Sequence, residues 1–120
     1  ADEAVVAYKK ALELDPKMAA AHINLGRLYH DAKELQKAEA HYRAALEIDL
    51  EDPAPHFNLG VLMEDLKRAQ DAMNAYREAI KLEPCFADAH YNLGLLFESM
   101  GRKAEAVAHF RTARKIYLSK

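Results

Sequence analysis

A chain of 120 residues and 13.5 kDa has the size of one domain, and 51% hydrophobic with 30% charged residues is a folding composition rather than a disordered one. Seventeen basic against nineteen acidic residues leave a formal charge of −2; phosphate backbones select a clear basic excess, so no nucleic-acid partner is expected. No apolar run approaches the ~18 residues of a membrane span, the opening Ala-Asp-Glu-Ala lacks the basic and apolar regions of a secretory signal, and the single cysteine, Cys85, fits a reducing, cytoplasmic compartment.

Alanine supplies 23 residues, glycine and proline together only eight, and β-branched residues are scarce. Good helix formers dominate and strand formers are missing, so the chain is expected to be all-α. In chain order, helices are expected over residues 2–14, 19–32, 35–48, 53–66, 69–82, 87–100 and 103–118. Pro16, the pair Pro53 and Pro55, and Pro84 fall at junctions, where helices begin or end. Gly101 suits a left-handed helix end. Lys33 and Lys67 hold the matching places, where a side chain makes positive φ costly, so those two turns are expected to be less tight.

These seven segments repeat with a period of 34 residues. His22, His56 and His90 align, as do Asn24, Asn58 and Asn92, and the pairs Leu25-Gly26, Leu59-Gly60 and Leu93-Gly94. Ala38, Ala72 and Ala106 align further on, followed by Tyr42, Tyr76 and Phe110, with Tyr8 one period earlier. The divisions are a half repeat at 1–18, holding a second helix only, and full repeats at 19–52, 53–86 and 87–120. Glycine within a helix costs about 1 kcal/mol against alanine. Small Ala38, Ala72 and Ala106 opposite the glycines are expected to offset it by letting the two helices approach closely, with the aromatics filling the wedge toward the next unit.

The Leu-Gly pair, the aromatics Tyr29 and Phe97, the paired alanines and the closing Pro16 and Pro84 resemble the tetratricopeptide repeat family over essentially the whole chain. Departures are histidine at the family's early tryptophan three times, Leu50 at a proline place and Met63 at an aromatic one. The resemblance implies a right-handed superhelical solenoid of seven antiparallel helices, with first helices lining a concave groove. The orphan second helix at the start, and the ending in Ile116, Tyr117 and Leu118 without a polar capping helix, suggest a fragment of a longer array that associates through its ends.

No catalytic constellation, cofactor motif or metal site is expected. His22, His56 and His90 recur about one helix spacing apart, roughly 8–10 Å, too far to share an ion whose ligands sit about 2 Å away; they read as partly buried substitutes for tryptophan. His41 and His109 read as surface residues, and Cys85 as an ordinary thiol. There is neither a phosphate-binding glycine loop nor a G-x-S-x-G nucleophile turn.

The expected site is therefore the groove. A helical wheel places Ile23, Arg27, His30 and Asp31 in one stripe, Phe57, Val61, Glu64 and Asp65 in the next, and Tyr91, Leu95, Glu98 and Ser99 in the third. The apolar rows suit a protein or peptide ligand, and the rim of Asp31, Glu64, Asp65, Asp88 and Glu98 suits basic residues on it. Asn24, Asn58 and Asn92 form a row beside the groove, and an amide offers a donor and an acceptor that match a peptide unit. The row resembles the asparagine ladder with which the repeat arm of O-linked N-acetylglucosamine transferases grips peptide backbones; a structural hydrogen bond between helices is the alternative. The family's carboxylate-gripping pattern does not carry over, because Ile23, Arg27, Asp88 and Asn92 stand where it needs other groups and only Asn58 matches. The reading is a non-catalytic protein-interaction module. Alternatives are a self-assembly element docking through its end helices, and the substrate-recognition arm of a larger enzyme such as a glycosyltransferase.

Overall fold

The computed structural model describes residues 2–119. Among the described residues it contains seven α-helices and no strand: α1 Asp2–Leu14, α2 Ala19–Asp31, α3 Leu35–Ile48, α4 Pro53–Asp65, α5 Ala69–Leu82, α6 Ala87–Ser99 and α7 Lys103–Leu118. The second helices have the expected bounds, and each first helix stops one residue short of them. Strongest packing joins α2 to α3, α4 to α5 and α6 to α7, with α1 against α2, α3 against α4 and α5 against α6 linking the pairs. The result is an all-α helical repeat fold measuring 47 × 29 × 23 Å, in which each pair touches mainly its neighbours.

One core runs through the chain. It is built from Leu25, Tyr29, Ala38 and Tyr42, then Leu59, Leu62, Met63, Ala72 and Tyr76, then Leu93, Leu96, Phe97 and Ala106. Met63 is as buried in its layer as Tyr29 and Phe97 are in theirs; a flexible thioether fills the space of a ring. The α4 N-terminus has the most complete cap. Asp52 Oδ1 accepts from the Ala54 amide at 3.0 Å, and Pro53 occupies the first turn, where its missing N–H leaves nothing unpaired.

Two expectations need correction. Lys33 and Lys67 adopt φ of 64° and 61°, beside 76° at Gly101. All three turns make the same pair of bonds: Lys33 N–H to His30 and Glu34 N–H to Tyr29, Lys67 to Glu64 and Arg68 to Met63, Gly101 to Glu98 and Arg102 to Phe97, at 2.8–3.0 Å. The lysine turns are as tight as the glycine one, because the hydrogen-bonded helix end dictates the backbone. The strain is local and removable. Left-handed backbone costs an L-residue about 1–2 kcal/mol, and glycine's extra freedom when unfolded returns about half of that. Lys33→Gly and Lys67→Gly should each raise stability by about 0.5–1 kcal/mol in urea titrations, and Gly101→Lys should lower it by a similar amount.

The second correction concerns the helical glycines. A Cβ on Gly26 would lie 2.5 Å from the Tyr42 ring, on Gly60 2.5 Å from Tyr76, and on Gly94 2.7 Å from Phe110. The group seated on each glycine is the aromatic of the same repeat, not the alanine, and the ring closes its own helix pair rather than only wedging the next. Deleting Cβ lets a flat ring lie on the first-helix backbone, and the buried area offsets glycine's poor helix propensity.

Candidate functional site

The first-helix histidines tie each pair to the loop before it. Their Nε2 atoms lie 3.2, 3.3 and 2.9 Å from the carbonyl oxygens of Pro16, Leu50 and Pro84. A carbonyl only accepts, so each Nε2 carries the proton, and the link survives where leucine replaces proline. In the outer two full repeats the remaining ring nitrogen meets a second histidine: His22 Nδ1 lies 3.1 Å from His41 Nδ1, and His90 Nδ1 3.1 Å from His109 Nδ1. His41 and His109 are therefore not free surface residues. They are half-buried and stack on Tyr29 and Phe97, with ring centroids 5.5 and 5.6 Å apart. A recurring spacing of 19 residues was visible in the sequence, and Ala75 at the corresponding place in the middle repeat breaks it.

Because a neutral first-helix histidine presents its Nδ1 lone pair, its partner must donate, and protonating the pair fully would set two N–H groups against each other. Burial, then the facing histidine, hold both partner imidazoles below their ordinary range; Lys9 adds to this at His41 and Arg77 at His109, with Glu105 opposing. Between the lowered folded value and about 6.5 the unfolded chain binds more protons. The contribution is complete above about pH 6.5 and is lost as pH falls through the folded value. Thermal midpoints should therefore drop between pH 7.5 and 5, and His41→Ala with His109→Ala, copying the middle repeat, should flatten that drop. Parallel profiles for the two chains would contradict the assignment. Among the described residues no group of three or more His, Cys, Asp and Glu is arranged to hold a metal.

The expected groove residues divide by burial. Ile23, Asn24, His30, Phe57, Asn58, Val61, Glu64 and Asn92 are half-buried; Arg27, Tyr91, Leu95 and Glu98 are exposed. Phe57 and Val61 pack on the core, and the Phe57 ring lies 5.8 Å from Tyr76 and 5.0 Å from Phe86. The continuous apolar row of the helical wheel thus narrows to Tyr91 and Leu95, because Phe86, a loop residue that the wheel omits, covers Phe57. His30 Nε2 meets Asp65 at 2.5 Å, tying α2 to α4. Tyr76 donates its hydroxyl to Glu64; burial, then the Glu64 bond, push Tyr76 far above the ordinary tyrosine range, with Asn92 opposing. Tyr42, also desolvated, is pushed up to about 12. Tyr117 donates to Asp88 at 2.5 Å. Three of the five rim acids, Glu64, Asp65 and Asp88, are thus engaged within the chain.

The tetratricopeptide repeat description matches residues 1–59 and 87–118, and the TPR repeat description matches residues 65–101. Among solved structures, two crystal structures of MamA are 29% and 30% identical to this chain. They cover 93% and 97% of it, and 66% and 63% of their own length, with TM-scores of 0.84 and 0.85. A MamA chain (41-end) from Desulfovibrio magneticus RS-1 is 21% identical, covers 99% of this chain and 67% of its own, and shares the fold at a TM-score of 0.87. The chain therefore spans just under two thirds of the first two structures. No curated protein sequence matches it.

Proposed function

We propose that this chain, a member of the tetratricopeptide repeat family, is a non-catalytic interaction module that binds a peptide or helical segment of a partner protein in a concave groove lined by α2, α4 and α6. The observation that carries this reading is the pair Tyr91 and Leu95, large apolar side chains left 46% and 40% exposed on one helix. Their half-buried counterparts one repeat earlier, Phe57 and Val61, support the reading that these positions are built to be covered. Exposed Asp31 and Glu98 favour basic residues on the ligand, and half-buried Asn24 and Asn58 supply amides for its backbone. A three-repeat groove is small, so affinity should be about micromolar.

Quantitative capture from native lysate with wild type and with Tyr91→Ala/Leu95→Glu tests this. Both sites are exposed, so the variant should keep its helical content while losing at least about nine tenths of a specifically captured partner, about 1.4 kcal/mol or more of binding. Equal capture by the two chains would overturn the reading. A second reading, association of copies through end helices, is favoured by the exposure of Val6, Leu14 and Leu118 at 64%, 85% and 73%. It predicts a mass by light scattering that rises with concentration.

A further inference from the structure

Folding brings together histidines that lie 19 residues apart in the chain. His22 and His41 set their Nδ1 atoms 3.1 Å apart, and His90 and His109 do the same. In both pairs the ring centroids are 5.3 Å apart. Two imidazoles that share one tetrahedral ion, each nitrogen about 2.0–2.1 Å from it, place their nitrogens about 3.3–3.4 Å and their ring centres about 5.1–5.3 Å apart. The helices already hold the ring centres at that separation, and a tilt of each ring turns both lone pairs onto one ion.

The surroundings of each pair are those of ligating histidines. His22 and His90 face the Pro16 and Pro84 carbonyls through Nε2, at 3.2 and 2.9 Å. Histidines that bind metals usually make this outer bond, because it fixes the tautomer that leaves the other nitrogen free to ligate. His41 and His109 are held by stacking on Tyr29 and Phe97. His22, His41 and His109 are half-buried rather than sealed, so water can reach the remaining coordination places. Neutral imidazoles select borderline ions such as Zn²⁺, Cu²⁺ and Ni²⁺ over Mg²⁺ or Ca²⁺.

We propose that His22–His41 and His90–His109 are two-histidine sites for a divalent transition-metal ion of the zinc class, each ion bridging the two helices of one repeat and completed by water. On binding, the proton between the rings moves to Nε2 of His41 or His109, so both rings stay neutral ligands. Lys9 acts against a cation at the first pair, whereas Glu105 offsets Arg77 at the second; the second site is therefore the tighter. The middle repeat lacks a site, because Ala75 stands where His41 and His109 stand in the others. Each ion adds a crosslink present only in the folded chain and so stabilises it. This goes beyond the groove reading and does not depend on it.

The test uses the whole chain, free of any tag and stripped with chelator, at about pH 7.5, where the rings are neutral. Calorimetric titration with zinc chloride should count two ions per chain. Zinc at about 100 µM should raise the thermal midpoint by at least about 3 °C, and magnesium chloride should not. His41→Ala with His109→Ala, which copies the middle repeat, should abolish both responses, and His109→Ala alone should remove the tighter site. Ala75→His supplies the missing ring in a cleft of about 320 Å³ that His56 and Ala75 line; with an unchanged circular dichroism spectrum it should raise the count to three. Absence of binding in wild type, equal responses to zinc and magnesium, or zinc responses unchanged in the double variant would overturn the proposal. A count that stays at two in folded Ala75→His would overturn it as well.

Discussion

Gly60→Ala should destabilise the protein by about 1–3 kcal/mol, although alanine is the better helix former by about 1 kcal/mol. The new Cβ would stand 2.5 and 2.6 Å from two ring carbons of Tyr76 and 2.9 Å from a third. Tyr76 is fully buried, its hydroxyl is tied to Glu64, and Phe57 packs beside it, so the ring cannot swing aside and overpacking outweighs propensity. Gly26→Ala should cost nearly as much, against an almost fully buried Tyr42. Gly94→Ala should cost least, because Phe110 is only half-buried and its ring starts 2.7 Å away. Urea denaturation followed by circular dichroism gives the order. A stabilising Gly60→Ala, or a Gly94 variant that costs the most, would contradict the ring-on-glycine geometry. Gly60→Ala combined with Tyr76→Leu should cost less than the sum of the single changes, since both act on one contact.

Tyr76→Ala should be the more damaging change, at about 3–5 kcal/mol. It empties the centre of the middle repeat, where the ring packs on Gly60 and Phe57, and in a repeat protein a weak middle uncouples both neighbours. A domain with ~5–15 kcal/mol of total stability can be largely unfolded by that loss. Tyr76→Phe should cost only about 1 kcal/mol, since it keeps the ring and removes the bond to Glu64. Phe110→Ala, which removes a half-buried ring, should fall well short of Tyr76→Ala. Equal losses at 76 and 110 would mean that the array does not depend on its centre as the packing indicates.

Helix positions were legible in the sequence because a 34-residue repeat supplies three copies of each boundary, and chance disagreements cancel. The tight turns at Lys33 and Lys67 are not legible from residue preference at φ > 0, because two backbone bonds that the sequence does not display fix each helix end. Gly26, Gly60 and Gly94 signalled close approach, but not what approaches; a wheel of one helix cannot say which neighbour lies over it. The same blindness made Phe57 and Val61 look like open groove, whereas Phe86, outside any helix, covers one of them. The His22–His41 and His90–His109 contacts were hidden because residues 19 apart meet only once two helices are folded back on each other.

Site-specific photocrosslinking would test the central claim most directly. A benzophenone side chain placed at position 95 on α6, with position 107 on α7 as the control (both exposed hydrophobic sites), would be irradiated in native lysate. The groove reading predicts a discrete heterologous adduct from position 95 that an excess of unlabelled chain competes away, and none from position 107. Adducts from position 107 alone, or from neither position, would contradict it.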